Sequence, residues 1–310
     1  MTPALLLAVS LTILVPQDSV VSHEDPIAIS EEMKLFIDEH IDSSLPEYER
    51  LVQLVGIVFQ ENRLGFSYEK TTKTARQTFE DRSGNCLSFT NMLISMARYL
   101  DLEAEFREVE IPPIWSLRGR LIVLSRHINV AVKIGAMSYV VDLFPEINPV
   151  QIGGQNVSDE RGLAHFFNNR GAEYLANGQP GLAAAHYQAA AEADPEASFV
   201  WVNLGVARSH QTRFEESEEC YLKALKIDGQ DSVAMSNLAD LYRKTGDQEK
   251  AEKWAKKVER FRKKNPYYHF ALGERAYVSG DFEAAVGHYR EALKRNSREH
   301  HFHFALAKAY

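Results

Sequence analysis

The chain has 310 residues, 45% apolar and 25% charged, with a net charge of −8 at pH 7. That length allows about two domains, the composition excludes a disordered chain, and the negative balance excludes a nucleic-acid footprint over the whole chain. Its two cysteines, Cys86 and Cys220, fall in different regions and give no disulfide framework.

The apolar run Ala4 to Val15 is too short to span a bilayer. With Pro16 and the small residues around Val20-Val21-Ser22 behind it, residues 1–22 read as a secretory signal peptide, although no Lys or Arg precedes the run. The expectation is an exported chain, periplasmic or secreted, whose mature form begins near His23; a cytoplasmic chain with an apolar tail is the alternative. No other segment approaches membrane-span length. Residues 23–44 form a polar linker and a leading helix, capped by Ser30 and running to about Asp42. A second helix is expected over 47–61, with a stripe of Leu51, Val52, Val55 and Val58, broken at Gly65. A third is expected over 72–81, with Ala75 and Phe79 inward.

Ser83-Gly84-Asn85 are turn and N-cap types. They place Cys86 at the head of a helix whose Phe89, Leu93, Met96 and Leu100 recur at helical spacing. A thiol there meets the positive end of the helix dipole, which favours thiolate. Neighbouring N–H groups lack intrahelical partners and can receive an oxyanion. A small buried cysteine opening a core helix is the plain alternative.

After that helix the period changes from 3.6 to 2. Ala104, Phe106, Val109 and Ile111 suggest a strand, and Pro112-Pro113 end it before a loop carrying Trp115. A second strand runs from about Arg126 to Ile134, with Ile128, Val130, Val132 and Ile134 on one face. Gly135-Ala136 is a turn, and a third strand runs from Met137 to Phe144. If Ile134 pairs with Met137, paired residue numbers sum to 271, and Asn129 lies opposite Asp142. His127 is then a diagonal neighbour of Asp142 on the same face; an odd-length turn would break this. Thiolate, imidazole and carboxylate are the parts that acyl transfer needs.

Gly84-Asn85-Cys86 opening a helix, His127 on a strand and Asp142 on the next strand resemble the transglutaminase-like cysteine-enzyme superfamily, over residues 45–155. The likeness is nearest in kind to bacterial members with helical repeats after the catalytic core. It implies an α+β, papain-like domain with helices packed on an antiparallel sheet, carrying a cysteine-dependent acyl-transfer site. Cys86 would be the nucleophile, His127 the base and Asp142 the orienting acid. Two positions depart from the family pattern. Many members have an acidic residue where Asn85 stands, and many have an aromatic one where Asn129 stands. Both positions shape the substrate cleft, so Asn85 and Asn129 are candidates for substrate or oxyanion support; Asn129 can also support the imidazole. Arg126 reads as a surface cation. No histidine or cysteine pair has zinc-ligand spacing and no Gly-rich phosphate loop occurs, so neither metal nor cofactor is expected.

From Ala164 a period of 34 appears. Gly171, Gly205, Ala239, Gly273 and Ala307 keep it, as do Tyr187, Tyr221, Ala255 and Tyr289. Gly178, Gly246 and Gly280 mark turns between paired helices. The pattern resembles the tetratricopeptide repeat, with four units over 164–299 and a partial fifth, or a cap, over 300–310, forming an all-α solenoid. The small column would let paired helices approach, with the aromatic column filling the gap between repeats. Repeats of this kind bind extended peptides on the concave face, and Asn169, Asn203 and Asn237 recur there, where side-chain amides can grip a peptide backbone. Cys220 reads as packing. The Lys- and Arg-rich stretch Lys250 to Lys264 reads as a solvated helix face. The reading is a cysteine hydrolase or acyl transferase whose repeats recruit a protein or peptide; the alternative is a non-catalytic adaptor in which both parts bind peptide.

Overall fold

The computed structural model describes residues 25–109, 116–118, 121–123, 127–143 and 153–310. The expected leader, the loop with Pro112, Pro113 and Trp115, and Ile111, Arg126 and Phe144 lie outside the described residues.

Three helices lead to the cysteine. α1 (Glu31–His40) starts at Ser30, whose hydroxyl accepts from the Met33 amide. α2 (Glu47–Phe59) follows Pro46, and its inward face is Leu51, Leu54, Ile57 and Val58. Val52, expected in that stripe, is 52% exposed. Positions 51, 54 and 58 lie on one helical face, and residue 52 is rotated about 100° from 51. β1 (Ser67–Tyr68) comes next. α3 (Ala75–Asp81) is closed by a capping box between Thr74 and Gln77. It starts three residues later than expected, because Thr74 takes the extended N-cap conformation and closes the capping box with Gln77. β2 (Ser83–Gly84) pairs in parallel with β1 and delivers the chain to α4 (Cys86–Tyr99).

α4 is the centre of the N-terminal core; every residue from Leu87 to Ala97 is buried. Beyond it come β3 (Glu103–Val109), a short antiparallel pair β4 (Ser116–Arg118) and β5 (Leu121–Val123), β6 (His127–Ile134), β7 (Met137–Val141) and β8 (Gly154–Val157). The main sheet is antiparallel with order β7-β6-β3-β8. Ala104, Phe106, Ile128, Val130 and Val132 join the core that α4 fills. β8 was not expected: Gly-Gln-Asn-Val has no apolar alternation, and the strand exists because β3 offers it a free edge.

Five helix pairs or parts of pairs follow. They are α5 (Asp159–Ala176) with α6 (Pro180–Ala193), α7 (Ser198–His210) with α8 (Phe214–Ile227), α9 (Ser232–Thr245) with α10 (Gln248–Lys264), α11 (Pro266–Val278) with α12 (Phe282–Arg295), and α13 (His300–Ala309). The glycine column fits the aromatic column within each pair, not across the gap between repeats as expected. A Cβ on Gly171, Gly205 or Gly273 would lie 2.5–2.7 Å from the ring of Tyr187, Tyr221 or Tyr289, respectively. Where the small residue is Ala239, the ring is absent and Ala255 takes its place. The two columns change together because one methyl and one ring cannot share the site.

α5 begins at Asp159, five residues before the expected start, and its first turns belong to the N-terminal core. Gly162 lets the Phe106 ring approach; a Cβ there would sit 2.4 Å from it. Ala164, Phe166, Phe167, Ala190, Ala191, Ala197 and Val200 continue the same buried cluster. No helix among the described residues is long and apolar enough to cross a membrane.

Gly178, Gly246 and Gly280 adopt φ of +72°, +84° and +81° between paired helices. Thr212 holds the equivalent position of the second pair at φ +61°. A β-branched residue is strained there. Thr212→Gly is therefore expected to stabilise the protein by about 0.5–1 kcal/mol, the relief of left-handed strain outweighing the entropy of a new glycine. Chemical denaturation of the two proteins checks it; a lower midpoint for the glycine variant would refute it.

Candidate functional site

The β6–β7 hairpin fixes the histidine and the carboxylate. Its pairs run from Ile134↔Met137 to Val130↔Val141, so paired numbers sum to 271 throughout. Gly135 takes φ +57° at the first turn position and Ala136 does not follow it, the pattern of a type II′ hairpin turn. Continuing the register brings Asp142 beside Asn129 and His127. The Asp142 Oδ2 accepts from Asn129 Nδ2 at 2.8 Å and lies 2.6 Å from His127 Nε2. The Asp142 side chain is 2% exposed and that of His127 is 7% exposed.

His127 also hydrogen-bonds Cys86. With Nε2 turned to Asp142, Nδ1 is the ring nitrogen left for sulfur. Burial pushes the imidazole pKa down, but the hydrogen bonds to Asp142 and Cys86 and the charges of both outweigh it, and the pKa is pushed up to about 9. Cys86 is half-buried and Cys220 buried. Burial pushes the Cys220 thiol up to about 11, which suits the packing role expected for it.

Asn85 is the N-cap of α4: its Oδ1 accepts from the Ser88 amide at 2.9 Å and from the Ser88 hydroxyl at 3.0 Å. Its Nδ2 donates to the Thr72 hydroxyl at 2.8 Å and to the Lys70 carbonyl at 3.3 Å. Both ends of this side chain are thus engaged in holding the helix start, in keeping with its N-cap residue type. Gly84 permits this tight entry, since a Cβ there would sit 2.4 Å from that of Ser88. Asn129 supports Asp142 through Nδ2, while its buried Oδ1 meets no donor among the described residues.

The repeat asparagines are not brought together with this cluster by any contact. Asn169 lies on α5, Asn203 on α7 and Asn237 on α9, each half-buried. Asn203 Nδ2 donates to Asn168 Oδ1 at 2.7 Å, so this amide links neighbouring helix pairs. Among the described residues one trio could hold a metal ion, Glu299, His300 and His301. It was not singled out in the sequence. Glu299 there caps α13, accepting from the His301 amide, and the positive end of that helix opposes a cation.

Residues that the sequence did not signal are Thr72, Ser88, Arg170 and Glu173. Lys73 N–H donates to Ser88 Oγ at 2.9 Å, and Thr72 N–H donates to Glu173 Oε1 at 2.7 Å. No periodicity or motif marks a contact between residues about a hundred positions apart.

Residues 196–264 and 270–310 match tetratricopeptide repeat family models. Tetratricopeptide repeats therefore occupy residues 196–310. The pair α5–α6 before them carries the same glycine–tyrosine contact, and the Cys86 cluster lies wholly ahead of the matched residues. No curated protein matches the chain. Similar solved structures include a crystal structure of MamA, 17% identical, covering 44% of this chain and 79% of its own, with a TM-score of 0.32. Another is the second TPR of Spaghetti (RPAP3) bound to an HSP90 peptide, 21% identical, covering 32% of this chain and 92% of its own, with a TM-score of 0.31.

The raised imidazole pKa makes a stability prediction. The folded state holds the His127 proton up to about pH 9, whereas the ordinary value is 6.5. Proton binding thus favours folding: this contribution is complete below about pH 6.5 and disappears as pH rises to about 9. Wild-type Tm is expected to fall more steeply than that of His127→Gln across that window. Parallel Tm curves would show that the pairing does not perturb the imidazole.

Proposed function

We propose that the protein is a repeat-based interaction protein that presents a peptide or protein partner to a cysteine-dependent acyl-transfer site in its N-terminal part. The tetratricopeptide repeats support the first half, a protein-interaction role. The observation that carries the second half is the buried Asp142–His127 pair at 2.6 Å, with Cys86 as a further hydrogen-bond partner of the same imidazole. This is the arrangement that the resemblance to transglutaminase-like enzymes implies.

In the proposed reaction the Cys86 thiolate attacks an amide carbonyl at the N-terminus of α4, where first-turn N–H groups receive the oxyanion. The His127 imidazolium gives its proton to the departing amine as the C–N bond breaks, leaving an acyl thioester on Cys86. Water or a second amine then attacks the thioester, passing a proton to His127 and releasing an acid or a new amide with the thiolate restored. Asp142 holds the ring and stabilises its charge throughout. Export and periplasmic location belong to the same proposal, as does peptide binding through Asn169, Asn203 and Asn237.

A second reading, a non-catalytic adaptor in which both parts bind peptide, is favoured by one finding: the family matches begin at residue 196 and cover only repeats.

Alkylation of Cys86 by iodoacetamide across pH separates the two readings, with buried Cys220 as the slow internal reference. Enzyme geometry expects Cys86 to react faster than Cys220. His127→Gln and Asp142→Asn should each slow it by a factor on the order of 10² while the fold stays intact. An unchanged pH–rate profile in both variants would leave the adaptor.

A further inference from the structure

Thr72 sits between the two halves of the molecule. It is 2% exposed, and each of its polar groups has a different master. Its N–H donates to Glu173 Oε1 at 2.7 Å, and its carbonyl accepts from Arg170 Nη1 at 3.5 Å. Arg170 and Glu173 stand one turn apart on α5 and pair with each other at 3.0 Å. The Thr72 hydroxyl accepts from Asn85 Nδ2 at 2.8 Å, and Asn85 caps the helix that Cys86 opens. Beside this path, Ser88 Oγ accepts from Lys73 N–H at 2.9 Å, and Asn91 Nδ2 donates to the Lys73 carbonyl at 3.4 Å. The 70–73 loop is thus a rigid spacer, joined to α5 on one side and to the first turn of α4 on the other.

The other end of α4 is also tied to α5. Arg98 forms a bidentate pair with Asp159, at 2.7 and 2.8 Å. From Asp159 to Glu173 the helix rises about 21 Å, and from Cys86 to Arg98 about 18 Å, at 1.5 Å per residue. The end of α4 is tied directly to the start of α5, and the end of α5 to the start of α4 through Thr72 and Asn85. α5 therefore sets both the axial position of α4 and the conformation of its first turn.

We infer that Arg170 and Glu173 are positioning residues for the Cys86 nucleophile: helix α5, which leads into the repeats, fixes the N-terminus of α4 through Thr72 and Asn85. The inference rests on the proposed role of Cys86 for its chemical meaning. The mechanical link rests on the hydrogen bonds alone. Its consequence is that a load on α5, such as a partner seated on the repeats, reaches the sulfur through a single loop residue. A cleft of about 350 Å³ lined by Lys70, Thr71, Arg170, Glu173, Tyr174 and Asn177 lies along that junction.

The test uses the full chain and two readouts. Glu173→Ala removes the acceptor of a buried N–H; Glu173→Gln keeps an oxygen in its place. In Glu173→Ala, hydrogen exchange over 70–74 and 85–90 is expected to rise about tenfold, with α8 and α12 unchanged. Cys86 alkylation is expected to slow about tenfold with a displaced pH profile, and Glu173→Gln should restore both. If Glu173→Ala fails to fold, Glu173→Asp, which keeps the charge but shortens the reach, is expected to give the same local changes. Unchanged protection over 85–90 would overturn the inference. Loss of protection together with an alkylation rate insensitive to His127→Gln would instead leave the link standing and remove the acyl-transfer reading.

Discussion

The chemistry of the N-terminal part depends on one carboxylate. Asp142, with its side chain 2% exposed, is a charge that the interior tolerates only when its lone pairs are filled. Two donors, His127 and Asn129, both from the neighbouring strand, converge on its Oδ2. They reach it only because the turn at Gly135-Ala136 has an even number of residues. One residue more or fewer would turn the third strand over and bury an unpaired carboxylate among apolar side chains. The same carboxylate decides the state of the imidazole. Burial alone would favour the neutral ring; the adjacent negative charge reverses that and keeps the proton on.

That hairpin was legible in the sequence because a strand has a period of two, and parity is a matter of counting. Ile128, Val130, Val132 and Ile134 mark one face, Gly135 marks the turn, and the position of Asp142 follows. The Cys86 helix was legible for a related reason, since Ser83-Gly84-Asn85 stop one pattern and Phe89, Leu93 and Met96 start another. The repeats were legible because five small residues keep one interval. What stayed hidden lacked any local pattern. β8 pairs because a strand edge was open. Thr72 lies outside the third helix because Thr74 caps it, and the partner that Thr72 meets instead, Glu173, is distant in sequence.

The repeats carry their own internal check. Glycine against tyrosine and alanine against alanine are two solutions to one packing problem, and the chain uses both without mixing them. A tyrosine opposite Ala239 would require a methyl group to occupy the space of a ring. An alanine opposite Gly205 would leave a void where Tyr221 now packs. Thr212 shows the opposite tolerance: a strained backbone is kept where the fold needs a left-handed turn, because the helices on both sides determine it.

The division of the chain at about residue 160 is one of sequence pattern more than of packing. A single buried cluster runs from Met33 through α4 and the sheet to Val200, and α5 contributes to it before it contributes to the repeats. Gly162 is the point of closest approach in that arrangement, since any side chain there would push α5 off Phe106. A flexible linker would let the repeats move without consequence for Cys86. A shared core with ties at Arg98–Asp159 and Thr72–Glu173 does not. A displacement of α5 along its axis must either break a buried hydrogen bond at Thr72 or carry the first turn of α4 with it. Breaking the bond at Thr72 leaves a buried N–H without its acceptor, which opposes the first course. The shared core and these two ties are what the inferred coupling of α5 to the first turn of α4 rests on.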